Sequence, residues 1–172
     1  MDAAGVRNAI DQLSASIRAD PAKAQGKNAP ATARLLKGLQ CELQGPYNER
    51  LITDMPPAMG GDASGPNPGW LLRGALASCT ATVIAMRAAK LGIALKSLEV
   101  TTETDSDLRG ILGMDESVSA AHQAVRMKVK IASTSASPQA LRELVEWAEA
   151  HSPVGCTVRS SPRSSLEIEV LR

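Results

Sequence analysis

The segment NPGWLLRGALASCTATVIAMRAAKLG, Asn67 to Gly92, constrains this chain more than any other. Asn67 can cap a helix whose first position is Pro68, where a missing N–H costs nothing, and Gly92 can close it. Leu72, Leu76, Cys79, Val83 and Met86 recur at spacings of three and four residues and form the predicted buried stripe. Ala75, Ala81, Ala85, Ala88 and Ala89 widen that stripe until the helix is apolar almost all round. Such a helix has to be enclosed by several neighbours. Its uncharged part, Gly74 to Met86, falls short of the roughly 20 residues a bilayer needs. The segment therefore predicts a core helix and not a membrane anchor.

The flanking sequence supplies the neighbours. Val6, Ile10, Leu13 and Ile17 line one stripe of an N-terminal helix that Pro21 stops, so residues 1–30 form a helical extension and residues 31–172 the main domain. Leu39, Cys41 and Leu43 alternate with polar residues as a half-buried strand. Gly45-Pro46 turns the chain, and Tyr47 to Thr53 returns as a second strand. Met55 to Pro68, rich in Pro and Gly, is a loop. Three further strands are predicted, around Leu98–Thr102, Val125–Ile131 and Leu166–Val170. The 125–131 strand is basic on its outer face and the other two are acidic, so it should lie beside at least one of them. Ser137 and Pro138 start a helix whose buried stripe is Leu141, Leu144, Val145 and Ala148. The plan is α+β, with a mostly antiparallel sheet covered by helices on one face. A lone protomer has too few helices to surround the 68–91 segment, and a second copy would complete the shell.

Composition removes several classes of function. At 172 residues, 44% hydrophobic, the chain can bury one ordinary core. Aromatics are 2% with no Phe, and the net charge is +1, so base stacking and phosphate neutralisation both lack their residues. No nucleic acid partner is expected. The amphipathic N-terminus has no signal-peptide core, and three cysteines are an odd number. A reducing, cytoplasmic setting with free thiols follows. With no CxxC pair and two histidines far apart in sequence, no metal site is expected.

The thiols are the chemistry on offer. Cys79, on the central helix, is either a small packing residue or a nucleophile. The second role needs the helix to restart at Ser78, so that free N–H groups and the dipole stabilise a thiolate. Cys156, in a turn after Ser152-Pro153-Val154-Gly155, is either an incidental loop thiol or a resolving partner. Cys41 falls on the inward face of its strand and reads as packing. His122 and His151 are isolated, and His151 can bond the last carbonyls of its helix.

The runs GPNPGWLLRGALASCTATVIAMRAAKLGIALKSLEV, DLRGILGMDESV and LRELVEWAEAHSPVGCTV together resemble the OsmC-like superfamily, which includes the organic hydroperoxide resistance proteins. The resemblance implies an intertwined homodimer with two central helices and sites at the interface. It also implies a thiol peroxidase acting on small organic hydroperoxides in oxidative stress defence, with an external dithiol reductant and no cofactor. The attacking cysteine maps onto Cys79. The second cysteine of the pattern falls at Ser152, leaving Cys156 as a displaced resolving candidate. An arginine from an N-terminal strand, with Arg34 as candidate, would hold the thiolate. The acidic residue expected after Asn-Pro is Gly69 here. A catalytically silent dimer that binds a small apolar ligand at its interface is the alternative, with Cys79 as packing. An interaction scaffold using the N-terminal helix is a third reading.

Overall fold

The computed structural model describes residues 2–171; Met1 and Arg172, the outer bounds of the two expected regions, lie outside the described residues. The N-terminal helix α1, Ala3–Ala19, is capped by Asp2, whose carboxylate accepts from Gly5 N at 2.9 Å. Strands β1 (Thr32–Lys37), β2 (Gln40–Gln44) and β3 (Arg50–Thr53) form an antiparallel sheet. The central helix α2 runs Pro68–Leu91 without a break. Asn67 Oδ1 accepts from Trp70 N at 2.9 Å, and Gly92 ends the helix at φ 71°, a left-handed conformation that glycine adopts without penalty.

Strand β4 (Leu95–Asp105) and strand β5 (Ala124–Ser133) pair antiparallel across a long excursion that holds a short helix, α3 (Leu108–Ile111). Glu99 stands opposite Lys130 and Glu103 opposite Arg126, so the basic strand does lie beside an acidic one. Lys130 Nζ meets Glu99 at 2.5 Å, and Arg126 forks onto Asp105 with two 2.6 Å bonds. Both pairs are exposed, so each contributes at most about 1 kcal/mol.

Helix α4 (Pro138–Ala150) starts at Ser137, whose hydroxyl accepts from Ala140 N at 3.2 Å. Its Leu141, Leu144 and Ala148 pack on Ile84 and Ala88 of α2, with Val145, Leu98, Val100, Val129 and Ile131 around them. That cluster is the core.

Four expectations change. The buried stripe of α2 is Leu76, Thr80, Ile84, Ala88 and Ala89. It is turned by about one residue from the predicted stripe, which leaves Cys79 half-buried on its flank and Met86 exposed. A helix apolar on every side gives no internal signal for choosing a face, so the packing of β4 and α4 chose it. Leu166–Val170 forms no strand; Leu166, Ile168 and Val170 are 85%, 74% and 83% exposed. A strand exists only with a hydrogen-bonding neighbour, and this chain offers that segment none. Residues Pro153–Ser160, expected as a turn, are a fifth helix, α5. Strand β1 adds to the strands that alternation marks, since Leu35 and Leu36 break its period, and it holds Arg34 in a strand as the resemblance implied.

By length and composition alone α2 could cross a membrane. In the fold it is the helix on which β4, α4, α5 and α1 all pack. α1 lies along its C-terminal half, with Val6 and Ile10 toward α2 and an ion pair between Asp11 and Lys90.

Candidate functional site

Cys79, Cys41 and Cys156 are all free and all half-buried. Cys79 sits in the middle of α2; Ser78 donates its hydroxyl to Ala75 O at 3.3 Å and the helix continues through both residues. The free N–H groups at the start of α2 are therefore not at the sulfur. The residue that points into the body is its neighbour, Thr80, whose hydroxyl meets the Ser152 hydroxyl at 3.3 Å. Both residues are 1% exposed. Removing one hydroxyl would strand the other, at about 1–3 kcal/mol. This contact joins α2 to α5 one residue after Cys79 and four before Cys156.

Cys156 lies in the first half of α5. Its backbone N–H donates to Ser152 O at 2.8 Å, and its thiol reaches Ala150 O at 3.3 Å. Arg159 Nη2 donates to the sulfur at 3.4 Å. Arg159 is itself held by the Glu149 carbonyl at 3.0 Å and by an ion pair to the Glu149 carboxylate. Sequence reasoning missed this cluster along with α5. The signal was present: Ser152-Pro153 repeats the cap-and-proline start of Ser137-Pro138.

At the start of α2, Gly69 takes the place where the resemblance implied an acidic residue. A Cβ there would stand 3.3 Å from Asn67 Oδ1, 3.6 Å from Arg73 Nη1 and 3.8 Å from His122 Cε1, so a side chain would face two basic groups. Arg73 instead donates to Thr104 Oγ1 at 3.2 Å, and His122 Nδ1 shares a 2.7 Å hydrogen bond with Ser106 Oγ. His151 bonds Trp147 O through Nδ1 at 2.7 Å, the end-of-helix role expected for it.

The loop leading into α2 is organised by Asp54, 3% exposed. It accepts from Ser64 Oγ at 2.7 Å, from Ser64 N and Asp62 N at 3.1 Å each, and from Met55 N at 2.8 Å. These bonds, the Ser64 hydroxyl first, hold its carboxyl down at about 2. Gly61 and Gly65 pass so close to the backbone of Met55 and Ile52 that neither place admits a Cβ.

The sheet β1–β2–β3 puts Ala33, Leu35, Cys41, Leu43, Leu51 and Thr53 on one face by register, and Arg34, Glu42 and Ile52 on the other. Cys41 thus stands between Leu35 and Thr53 on the face where most of the sheet's apolar residues gather, half-buried within one chain. Arg34 stands on the polar face of an edge strand that is exposed throughout, and within this chain it is not brought to Cys79.

Compared with known proteins, residues 61–167 match the sequence model of the family described as OsmC-like protein. No curated protein matches the chain. Among solved structures it is similar to an OsmC-like protein from Mycoplasma pneumoniae, with 16% identity and a TM-score of 0.68 over 79% of this chain and 90% of that one. It is also similar to an organic hydroperoxide resistance protein from Legionella pneumophila, with 19% identity and a TM-score of 0.56 over 79% and 92%. The organic hydroperoxide resistance protein OhrB of Bacillus subtilis gives 18%, 0.52, and 78% and 92%. At such identities the likeness is one of fold. With the match covering α2, the β4–β5 pair and both C-terminal helices, the chain belongs to the OsmC-like protein family.

Proposed function

We propose that this protein is a cytoplasmic, thiol-dependent peroxidase of the OsmC-like type, reducing organic hydroperoxides through Cys79 in oxidative stress defence. The observation that carries the reading is the position of Cys79: half-buried, on a flank of α2 where Ala75, Ser78 and Thr82 are exposed. Two of the similar structures are named for organic hydroperoxide resistance, which supports the same chemistry. The Cys79 thiolate attacks one peroxide oxygen, the O–O bond breaks, and the alcohol leaves with a proton. Cys79 is left as a sulfenic acid. A thiol then displaces water to form a disulfide, and an external dithiol returns Cys79 to the thiol. No cofactor takes part. Cys156 is the internal candidate for the resolving thiol, because the Thr80–Ser152 contact joins the two helices that carry the cysteines.

The site is completed by a second copy of the chain. The apolar face of the β1–β3 sheet and the tail at Leu166, Ile168 and Val170 are uncovered within one protomer. A homodimer in which they cover the partner's α2 satisfies both. It also supplies the cation that a reactive thiol needs, with Arg34 as the candidate.

The test is consumption of tert-butyl hydroperoxide with dithiothreitol. Cys79→Ser should lose at least about 100-fold in rate, as removal of a nucleophile does. Cys156→Ser should trap oxidised Cys79, and Arg34→Gln should slow the first step. Parent-like turnover by Cys79→Ser ends the proposal. Gly69 and the unbroken helix favour the second reading, a catalytically silent dimer holding a small apolar ligand at its interface. For that reading, iodoacetamide should alkylate Cys79 no faster than free cysteine.

A further inference from the structure

Trp147 of α4 carries two stacked partners. The Arg87 guanidinium lies over its ring at 4.3 Å, and the His151 ring stacks on it at 4.0 Å and 12°. Beside this stack is a groove of about 200 Å³ lined by Ile10, Val83, Met86, Arg87, Lys90 and Trp147. One wall is α1, which precedes the residues that match the family.

The two cations of the groove differ. Lys90 is neutralised by Asp11. Arg87 takes part in no ion pair among the described residues, and its Nε is buried without a hydrogen-bond partner. A buried guanidinium N–H without an acceptor is costly, and the planar fork that carries it matches a carboxylate in two parallel bonds. With one cation outside any ion pair, a second already paired, and Ile10, Val83, Met86 and Trp147 as its remaining walls, the groove suits one negative charge on an apolar body. A multiply charged phosphate would need more donors. Its volume is roughly seven water volumes at about 30 Å³ each, enough for a carboxylate with a short alkyl or aryl body.

We propose that this groove is a binding site for a small organic carboxylate, its head on Arg87 and its body against Ile10, Val83 and Met86. The site goes beyond the peroxidase reading. It begins at Val83, one helical turn from Cys79, and uses neither thiol.

The experiment reads binding and not turnover, so its failure and that of the peroxidase proposal are separable. In a Trp70→Phe background, Trp147 fluorescence of the full chain is titrated with sodium hexanoate, hexanol and sodium sulfate. Hexanoate should give a saturable change, with hexanol and sulfate at least about tenfold weaker. Arg87→Met should weaken hexanoate by about tenfold or more, the scale of one charge-assisted fork. Arg87→Lys, which keeps the charge and loses the fork, should fall between, and it decides the matter if Arg87→Met does not fold. No saturable response to hexanoate overturns the site. So does hexanol or sulfate binding as tightly as hexanoate, or parent-like affinity in the Arg87 variants. A concentration-dependent change in mass of Arg87→Met, with no hexanoate response in the parent, would assign Arg87 to a second copy and also overturn it.

Discussion

α2, β4, β5 and α4 bury a cluster of apolar residues against one another, while β1 to β3 bury almost none. Ile84 is 0% and Leu144 2% exposed in the first region; in the second, Leu35 is 64% and Leu51 42% exposed. The two regions are patterned equally well. Alternation along β2 is as regular as along β4, and the register gathers Ala33, Leu35, Leu43 and Leu51 of the small sheet on a single face. An amphipathic face becomes core only where another apolar face is supplied. The C-terminal body contains both halves of that match, and the N-terminal sheet contains one.

The largest expected effect breaks this comparison directly. If the sheet's apolar face is covered by a second copy, Leu35→Asp with Leu51→Asp should weaken self-association by about 100-fold or more. That follows from about 1.5–3 kcal/mol for each buried leucine. Sedimentation at micromolar concentration checks it; a double variant that sediments like the parent would show that this face is not an interface.

Within the body, Leu144→Ala should cost about 2–5 kcal/mol in denaturant unfolding, because it opens a cavity against Ile84 and Ala88. The exposed Leu13→Ala of α1 should stay within about 0.5 kcal/mol. Equal losses at the two positions would mean that α1 belongs to the core.

The smallest effect concerns the joint between the regions. The Asp54 carboxyl is held at about 2, below its ordinary 3.8, first by the Ser64 hydroxyl and then by backbone N–H groups. A depressed carboxyl contributes stability that is complete above its unfolded value and is lost as pH falls through its folded value. The melting temperature should therefore decline between about pH 4 and pH 2. Asp54→Asn should melt lower at pH 7 and decline less over that window. A decline parallel to the parent's would exclude Asp54 as its source.

Much of the body was legible in the sequence, because its elements carry their own boundary signals. Asn67-Pro68 and Ser137-Pro138 start helices where expected, and Gly92 ends one. The charge pattern of 125–131 anticipated its acidic neighbour. The candidate site was legible only in part. Cys79 was placed on the right helix, yet its orientation required knowing which side of an all-apolar cylinder meets β4 and α4. Cys156 reads as a turn residue because the helix begun by Ser152-Pro153 is only 8 residues long and lacks a side-chain cap bond, and its contact with Arg159 depends on that helix.

The amino-acid order by itself determined where the helices of the body begin and end, which strand faces are apolar, and that three thiols are available. Those are local properties, set by caps, prolines and period. Tertiary packing decided that Thr80 and not Cys79 points inward, that Arg34 stands on the polar face of an exposed sheet, and that residues 166–170 form no strand within one chain. Each of those depends on which surface stands opposite, and no local pattern records that.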